Sequence, residues 1–353
     1  MDSTNDMHKS PAVCRMLVAG ALVRRRGPAL GVSDGQGGTV DFGVFLPVSG
    51  RAASRGGLVH AARSAEDMGF TAVWAADRVV IPWRIDTPYN YNWSGSFFVP
   101  PEASFLEPLT VLSFLAGATE TIRLGVSVLV MPYRDPVYWA KIVSTLDELS
   151  EGRFILGVGV GWMREEFAAL GREDLFEARG RVADEHLDIF RTLLSEEHAS
   201  HQGEFYEFSD IAFSPKGHMG AGDMKVWVGG EAAPSRRRAG RYGDSWFPYF
   251  PRVTPEEMAR RYDHVRQVAD EAGRDPDAVQ LNCCLSIEVT DEDVEQEPDL
   301  LRGSPSQVAE RLAAFHEIGV RHCGLQFLVG RYPERIEQMR RFSEEVIRPA
   351  LFA

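Results

Sequence analysis

The sequence predicts a (β/α)8 TIM barrel, in which eight parallel strands close into a ring surrounded by helices. From residue 40 onward, short β-favouring runs alternate with amphipathic helices, and there are eight such units. A doubly wound sheet usually has only about five or six strands, so eight favour the barrel. Several runs are continuously apolar, which is typical of parallel strands covered on both faces.

The eight predicted strands follow one another through the chain at uneven spacing. They are 40–46, 71–75, 122–131, 154–160, 225–229, 244–248, 280–289 and 322–328. The spacing predicts two insertions, one after strand 2 (residues 77–105) and one between strands 4 and 5, where 200–215 is expected to form a small hairpin. Because catalytic groups of TIM barrels lie at the carboxyl ends of the strands, residues directly after each strand are the candidates for a site.

Helix start signals support the same division of the chain. Thr254-Pro255 and Ser304-Pro305 each give an N-cap followed by proline at the first helical position. Glu257 and Gln307, three residues after the caps, complete predicted capping boxes. Asp135-Pro136 opens a further helix without the box.

The first 38 residues differ from the remainder in charge. They carry five basic and three acidic groups, whereas the whole chain has a formal charge of −13. A signal peptide has its positive charges before its apolar core, but here Arg24, Arg25 and Arg26 follow the apolar stretch. We expect a flexible extension over residues 1–38, without a role in the chemistry, and one barrel domain over residues 39–353.

Composition excludes several classes of function. The acidic balance disfavours a nucleic-acid partner or an anionic membrane surface, and no run approaches the roughly 20 apolar residues of a membrane span. The four cysteines, Cys14, Cys283, Cys284 and Cys323, are too few and scattered for a disulfide framework, which indicates a reducing cytoplasmic location. No metal is expected, because His198 and His201 have no suitably spaced third ligand.

Two motifs resemble known catalytic or binding signatures but lack parts of them. The glycines from Gly157 to Gly161 follow strand 4, yet Trp162 occupies the place of the third glycine of a dinucleotide fingerprint. These glycines are therefore interpreted as barrel packing when taken alone. Ser127 lies within an apolar strand and lacks the second glycine of a nucleophile elbow, so acyl transfer is disfavoured.

Two other features favour a ligand at the predicted rim. Gly229-Gly230 end strand 5 and run into a helix, where backbone N–H groups can approach an anion, although a plain turn fits equally well. The insertion after strand 2 is rich in large apolar rings, which suits a lid over a flat organic ligand or a subunit interface. These rings are Trp83, Tyr89, Tyr91, Trp93, Phe97 and Phe98.

The motifs in this order resemble the bacterial-luciferase-like flavin superfamily, and more narrowly its F420-dependent oxidoreductase branch. The resemblance covers about residues 40–350. It rests on FGVFLP (42–47), AARSAEDMGFTAVW (61–74), IRLGVSVLVMPYRD (122–135), LDELSEGRFILGVGVGW (146–162) and the segment from VWVGG to RYGDSW (226–246).

The resemblance implies a flavin or deazaflavin at the carboxyl ends of the strands. It implies that Ser127 and Val128 back the tricyclic ring, often through a non-proline cis peptide, and that Asp77 lies near the ring. It further implies cofactor contacts from the residues after strands 4, 5 and 6, and a polar residue at the ring edge. These residues are Gly161, Trp162, Gly229, Gly230, Tyr249 and Arg252, with Glu165 at the ring edge.

The sequence departs from the family pattern at two positions around the substrate. Family members commonly have histidine after the strand-2 aspartate, and some F420 enzymes pair it with a glutamate after strand 4. Here these positions are Arg78 and Trp162. Arginine cannot act as a general acid near neutral pH, because its pKa exceeds about 12. Arg78 remains a candidate for holding a substrate anion or stabilising an anionic reduced deazaflavin.

The expected function is hydride transfer between coenzyme F420 and an apolar organic substrate, with Arg78 and Glu165 as candidate catalytic residues. The alternative is an FMN-dependent monooxygenase served by a separate flavin reductase, and a non-catalytic flavin-binding protein is a third possibility. The anionic tail of F420 needs basic residues at the pocket rim, for which Arg252 or Arg134 are candidates. A homodimer is expected by analogy with the family.

Overall fold

A computed structural model describes residues 31–33, 39–91, 95–218, 220, 224–297 and 300–348. Eight parallel strands close into a barrel, since each pairs with the next and the last pairs with the first. They are β1 (Thr39–Phe45), β2 (Ala72–Ala75), β3 (Arg123–Val130), β4 (Phe154–Gly159), β5 (Lys225–Gly229), β6 (Ser245–Phe247), β7 (Gln280–Val289) and β8 (Val320–Phe327). The predicted (β/α)8 barrel is confirmed.

A helix follows each barrel strand on the outside of the ring. In chain order they are α1 (Arg55–Asp67), α2 (Pro108–Ala116), α3 (Pro136–Leu149), α4 (Arg179–Ser195), α5 (Ala233–Tyr242), α6 (Pro255–Glu271), α7 (Pro305–Glu317) and α8 (Tyr332–Arg341). A short helix, Arg164–Ala169, precedes α4 in the connection from β4. Among the helices of the described residues, none is long and apolar enough to cross a membrane.

The predicted helix starts are confirmed, but the capping boxes are wrong. Thr254 and Ser304 accept hydrogen bonds from the backbone N–H groups of Glu257 and Gln307. The Glu257 carboxylate pairs with Arg261 at 2.9 Å. The Gln307 side chain instead bonds the backbone of Val294. The N3 side chains are therefore taken by other partners, one a turn later on the same helix and one in the segment before α7.

Both predicted insertions are present, and further short strands extend the barrel. Residues Ala199–Gln202 and Glu207–Ile211 form the expected antiparallel hairpin. Leu300–Gly303 adds to β7 in parallel. Gly31–Ser33, inside the segment expected to be flexible, pairs antiparallel with β1, and residues 1–30 and 34–38 lie outside the described residues.

A plug of large side chains fills the barrel interior below the carboxyl ends of the strands. The Trp74 ring lies 5.2 Å from that of Trp227 and 4.7 Å from that of Phe247, and its Nε1 donates to His322 at 3.1 Å. Glycine on a neighbouring strand makes room for it, because a Cβ at Gly125 would lie 2.3 Å from the indole. The interior is therefore solid at this level.

Two buried histidines should make the fold sensitive to mild acid. Burial lowers the pKa of His186 to about 3 and that of His322 well below its usual range. Each stays neutral when folded but gains a proton when unfolded below its ordinary pKa of about 6.5. Stability is therefore complete above pH 6.5 and falls as the pH drops, by about 2 kcal/mol per histidine between pH 7.5 and 5.

Urea unfolding at pH 7.5, 6.5 and 5.5 measures this loss. We expect His186→Gln to flatten the dependence on pH, whereas His60→Gln, at an exposed position of α1, should leave it unchanged. A wild-type unfolding free energy that stays constant over this range would contradict the assignment.

Candidate functional site

A deep cleft opens at the carboxyl ends of the barrel strands, where the sequence places the site. It holds about 1260 Å³ of empty space, counted to its open mouth. The plug of Trp74, Trp227 and Phe247 lies beneath it in the barrel axis. Its lining combines backbone at strand ends, aromatic rings and a few polar groups, and includes Phe45, Asp77, Arg78, Tyr89, Tyr91, Phe97, Phe98, Ser127, Val128, Gly161, Trp162, Gly229, Gly230, Ser235, Tyr249, Gln326 and Arg335.

Val128 forms one wall of this cleft at an irregular point of β3. The peptide bond from Ser127 to Val128 is cis, and the pairing of β3 with β4 shifts register between Val126 and Leu129. Two glycines flank the Val128 side chain: a Cβ at Gly159 would lie 2.4 Å from Cγ2, and one at Gly229 would lie 2.7 Å from Cγ1. Glycine at both positions therefore leaves room for the Val128 side chain.

The end of β5 leads directly into the first turn of α5. Gly230 has φ of 92°, a left-handed conformation that favours glycine. Gly229, Gly230 and Ser235 all line the cleft, so glycine backbone before the helix and a hydroxyl from its first turn lie at the same place. This arrangement suits an anion, because the first N–H groups of a helix have no partner inside it.

An aromatic lid, formed by the insertion 77–105, covers one side of the cleft. Tyr89 packs against Trp162 with ring centroids 4.9 Å apart and against Phe97 at 5.4 Å. Tyr91 meets Tyr249, from the segment after β6, at 5.5 Å. The lid expected from composition is therefore formed. Trp83, however, is 79% exposed and is not among the lining residues, and Trp93 lies outside the described residues.

The three tyrosines of the cleft are neutral hydrogen-bonding groups at ordinary pH. Burial raises the pKa of Tyr89 to about 12. It also raises the pKa of Tyr91, and that of Tyr249 well above its usual range. Their hydroxyls therefore keep their protons and can donate to an oxygen of a bound molecule.

Arg78 is fixed in a buried ion pair that the sequence did not predict. Its Nη1 lies 2.5 Å from Oε2 of Glu166, which is fully buried. Its guanidinium lies beside the rings of Phe97 and Trp162, 5.0 and 4.9 Å from their centroids. Although burial opposes the charged form, the carboxylate of Glu166 raises the pKa of Arg78. Arg78 thus faces the cleft with its charge already compensated.

Glu166 also holds the start of the lid. Its Oε1 accepts from the backbone N–H groups of Val79 and Val80 at 2.8 and 3.2 Å, and its Oε2 from the hydroxyl of Tyr133 at 2.8 Å. A single carboxylate therefore satisfies four donors from two separate segments.

Glu165, the expected polar residue at the ring edge, fastens the far limb of the lid instead of lining the cleft. It accepts from the backbone N–H groups of Asp86 and Thr87 at 2.8 and 3.0 Å, and from the Thr87 hydroxyl at 2.9 Å. Burial disfavours the charged carboxylate, but these hydrogen bonds stabilise it and lower the pKa of Glu165. The adjacent residues Glu165 and Glu166 thus hold two parts of the same insertion by hydrogen bonds, near residues 86–87 and 79–80.

Asp77 lines the cleft, but its carboxylate is committed to the protein. Its oxygens lie 2.7 and 2.8 Å from the two terminal nitrogens of Arg134, and Oδ2 accepts from the backbone N–H of Val130 at 2.8 Å. Arg134 also contacts Glu107 at 3.1 Å. Arg134 is therefore held between two carboxylates and is a poor candidate for a cofactor tail.

The structure gathers nine of the eleven candidate residues at one cleft. Glu165 and Arg252 are not among the lining residues, and Arg252 is half-buried beyond the end of β6. The sequence missed Glu166, Gln326 and Arg335. The only signal for Glu166 was its place beside Glu165, and neither Gln326 nor Arg335 belongs to a recognisable motif.

Comparisons with known proteins agree with this architecture. A family model described as luciferase-like monooxygenase matches residues 40–297. The phthiodiolone/phenolphthiodiolone dimycocerosates ketoreductase of Mycobacterium tuberculosis is 29% identical over 276 residues, which cover 74% of this chain and 71% of the relative.

Two solved structures superpose on most of the chain. An F420-dependent secondary alcohol dehydrogenase in complex with an F420–acetone adduct gives a TM-score of 0.70 at 17% identity, covering 88% of this chain and 99% of its own. The oxygenating constituent of 3,6-diketocamphane monooxygenase from Pseudomonas putida, a type II Baeyer–Villiger monooxygenase in complex with FMN, gives 0.67 at 16% identity, covering 88% and 98%. At these identities the likeness shows the fold.

Proposed function

Because this chain belongs to the luciferase-like monooxygenase family, we propose that it is an F420-dependent oxidoreductase that interconverts an alcohol and a carbonyl compound with a largely apolar body. Family membership itself supports an oxidoreductase or monooxygenase with a flavin-type cofactor. The choice of F420 and of a carbonyl substrate is the finer step. The ketoreductase relative and the F420-dependent dehydrogenase neighbour favour it.

The observation that carries the proposal is the wall of the cleft formed by Val128 and the glycines beside it. A flat tricyclic ring needs a smooth face, and the glycines at 159 and 229 let the Val128 side chain lie close against the strand ends, since a Cβ at either position would clash with it. The rings of Tyr89, Phe97 and Trp162 lie across the same cleft and supply apolar surface. The residues present therefore fit a flavin or deazaflavin ring between the Val128 wall and the aromatic lid.

The tail of the cofactor has a matching anion site. Gly229, Gly230 and Ser235 would hold a phosphate at the start of α5. Arg252 lies nearby: its charge acts on both Tyr89 and Glu231. We assign it to the rim along which the longer anionic tail of F420 would extend.

When bound, F420 supplies or accepts a hydride at C5 of its ring. The protein contributes orientation and exclusion of water, which the aromatic lid provides over the cleft. Tyr89, Tyr91 and Tyr249 are the neutral donors available to hold the oxygen of a carbonyl group. We assign this role to the tyrosines because Arg78, at the position where family members commonly have histidine, is paired with Glu166 and cannot release a proton.

Cofactor titration tests the proposal directly. We expect F420 to bind the purified protein at micromolar concentration or below, and FMN about 100-fold more weakly, as followed by fluorescence quenching. With reduced F420, a panel of aromatic and alicyclic ketones should be reduced, with loss of ketone matching oxidation of the cofactor.

The reverse preference, with oxygen consumption on addition of reduced FMN, would replace this proposal by a two-component monooxygenase that depends on a separate reductase. Tight cofactor binding without turnover of any ketone or alcohol would indicate a flavin-binding protein. Absence of binding by both cofactors would remove the site assignment altogether.

A further inference from the structure

The cleft contains two arginines whose surroundings differ sharply. Arg78 has the buried carboxylate of Glu166 at 2.5 Å. Arg335, in the second turn of α8, faces the same cleft but forms no ion pair with any residue that the structure describes. The one hydrogen bond of its side chain within that part of the chain runs from Nε to the backbone oxygen of Val329 at 3.3 Å.

The pKa of Arg335 agrees with its lack of an ion-pair partner among the described residues. Burial lowers its pKa, and no neighbouring carboxylate offsets that effect. A half-buried cation without a counter-ion is costly, so such a group is usually matched by a bound anion. Among the acidic residues described, only Asp77 lines the cleft, and its carboxylate is already held by Arg134.

Gln326 lies at the same side of the cleft. On β8, His322 and Gly324 face the Trp74 plug, and alternation along the strand turns Gln326 inward at the level of the cleft. Its side-chain amide has no hydrogen bond to another described residue. The terminal guanidinium nitrogens of Arg335 and this amide therefore offer donors to the same region.

These donors belong to other elements than the site assigned to the cofactor tail. The tail site lies after β5, whereas Gln326 and Arg335 belong to β8 and α8. In the ring of strands, β6 and β7 separate the two positions. Gln326 and Arg335 therefore line a different part of the cleft from the tail site.

We propose that Arg335 and Gln326 form a carboxylate-binding subsite, so that the substrate is an organic acid with an apolar body beneath the lid and its carboxylate at the β8 side. This inference rests on the proposed function and makes it more specific. A planar guanidinium with free terminal nitrogens matches the two oxygens of a carboxylate, and the amide N–H₂ adds a further donor.

A matched pair of probes tests the subsite without requiring turnover. 1-Pyrenebutyrate and 1-pyrenebutanol share an apolar body and differ in the carboxylate. Equilibrium dialysis against the full chain, with and without added cofactor, should show the acid binding about tenfold more tightly than the alcohol. Arg335→Met should remove this preference and leave the affinity for the alcohol within about twofold. Arg335→Lys should retain an intermediate preference.

Arg331→Met is the control, because Arg331 lies one turn earlier with a side chain that is 83% exposed. Equal affinities for the two probes in the wild type, or the same loss in both methionine variants, would overturn the proposal. So would loss of F420 or FMN affinity in Arg335→Met, which would assign Arg335 to the cofactor instead.

Circular dichroism verifies that the variants fold. If Arg335→Met fails to fold, the wild type decides: the affinity for the acid must fall with added NaCl while that for the alcohol does not. Because the probe preference needs no cofactor, failure of the proposed oxidoreductase function would leave it intact, and the two outcomes are distinguishable.

Discussion

Gly229→Val is expected to lower the affinity for F420 and for FMN by at least about 100-fold while the barrel remains folded. The first added carbon would lie 2.7 Å from Cγ1 of Val128, so the Val128 side chain must move into the cleft. The displaced side chain and the new methyl groups would then occupy the space assigned to the ring. Fluorescence quenching by each cofactor measures the loss.

The fold should tolerate this change, because the other atoms nearest the new Cβ lie at 3.5 and 3.7 Å and Val128 can move toward open space. We expect a destabilisation of about 1–3 kcal/mol, visible by thermal unfolding. Gly56→Val, on α1 where an added Cβ meets nothing within 4 Å, is the matched control. Undiminished cofactor affinity in a folded Gly229→Val protein would show that the ring lies elsewhere.

Glu166→Ala should destabilise the protein by about 3–5 kcal/mol, because it leaves the charge of Arg78 buried without a counter-ion. The carboxylate is fully buried, and the variant also deprives Tyr133 and two backbone N–H groups of their acceptor. Chemical denaturation gives the free energy of unfolding. Limited proteolysis within the lid should become faster, since Val79 and Val80 at its start lose the acceptor of their hydrogen bonds.

Two further variants separate the effect of the buried Arg78–Glu166 charges on stability from other effects of the substitution. Glu173→Ala removes a carboxylate that is 59% exposed and 3.8 Å from Arg164, and should change stability by less than about 0.5 kcal/mol. The double variant Arg78→Met with Glu166→Leu should recover much of the loss, since no charge then stays buried. If the double variant lost as much unfolding free energy as Arg78→Met and Glu166→Leu lose separately when added together, packing of the lid rather than charge would be responsible.

The barrel could be predicted because its determinants are local. Continuous apolar runs such as Phe154–Gly159 mark strands covered on both faces, and caps such as Thr254 mark helix starts. The candidate residues at strand ends followed from the barrel geometry and from the family resemblance. Their roles at the cleft stay predictions.

The parts of the site that escaped prediction depend on contacts between distant segments. Whether Glu165 or Glu166 turns inward depends on how the chain leaves β4, and no periodic pattern encodes that path. Arg134, a candidate for the cofactor rim, pairs with Asp77 from 57 residues away. The isolation of Arg335 depends on which carboxylates are absent around it, and sequence spacing does not report such absences.

The plug around Trp74 has a consequence for the order of events at the site. Since the barrel axis is filled below the cleft, both ligands must enter from the carboxyl ends of the strands, where the lid flanks the opening. A molecule lying under the lid would obstruct a cofactor arriving later and would itself have to leave first. We therefore expect an ordered kinetic mechanism, in which the coenzyme binds first and dissociates last in each cycle.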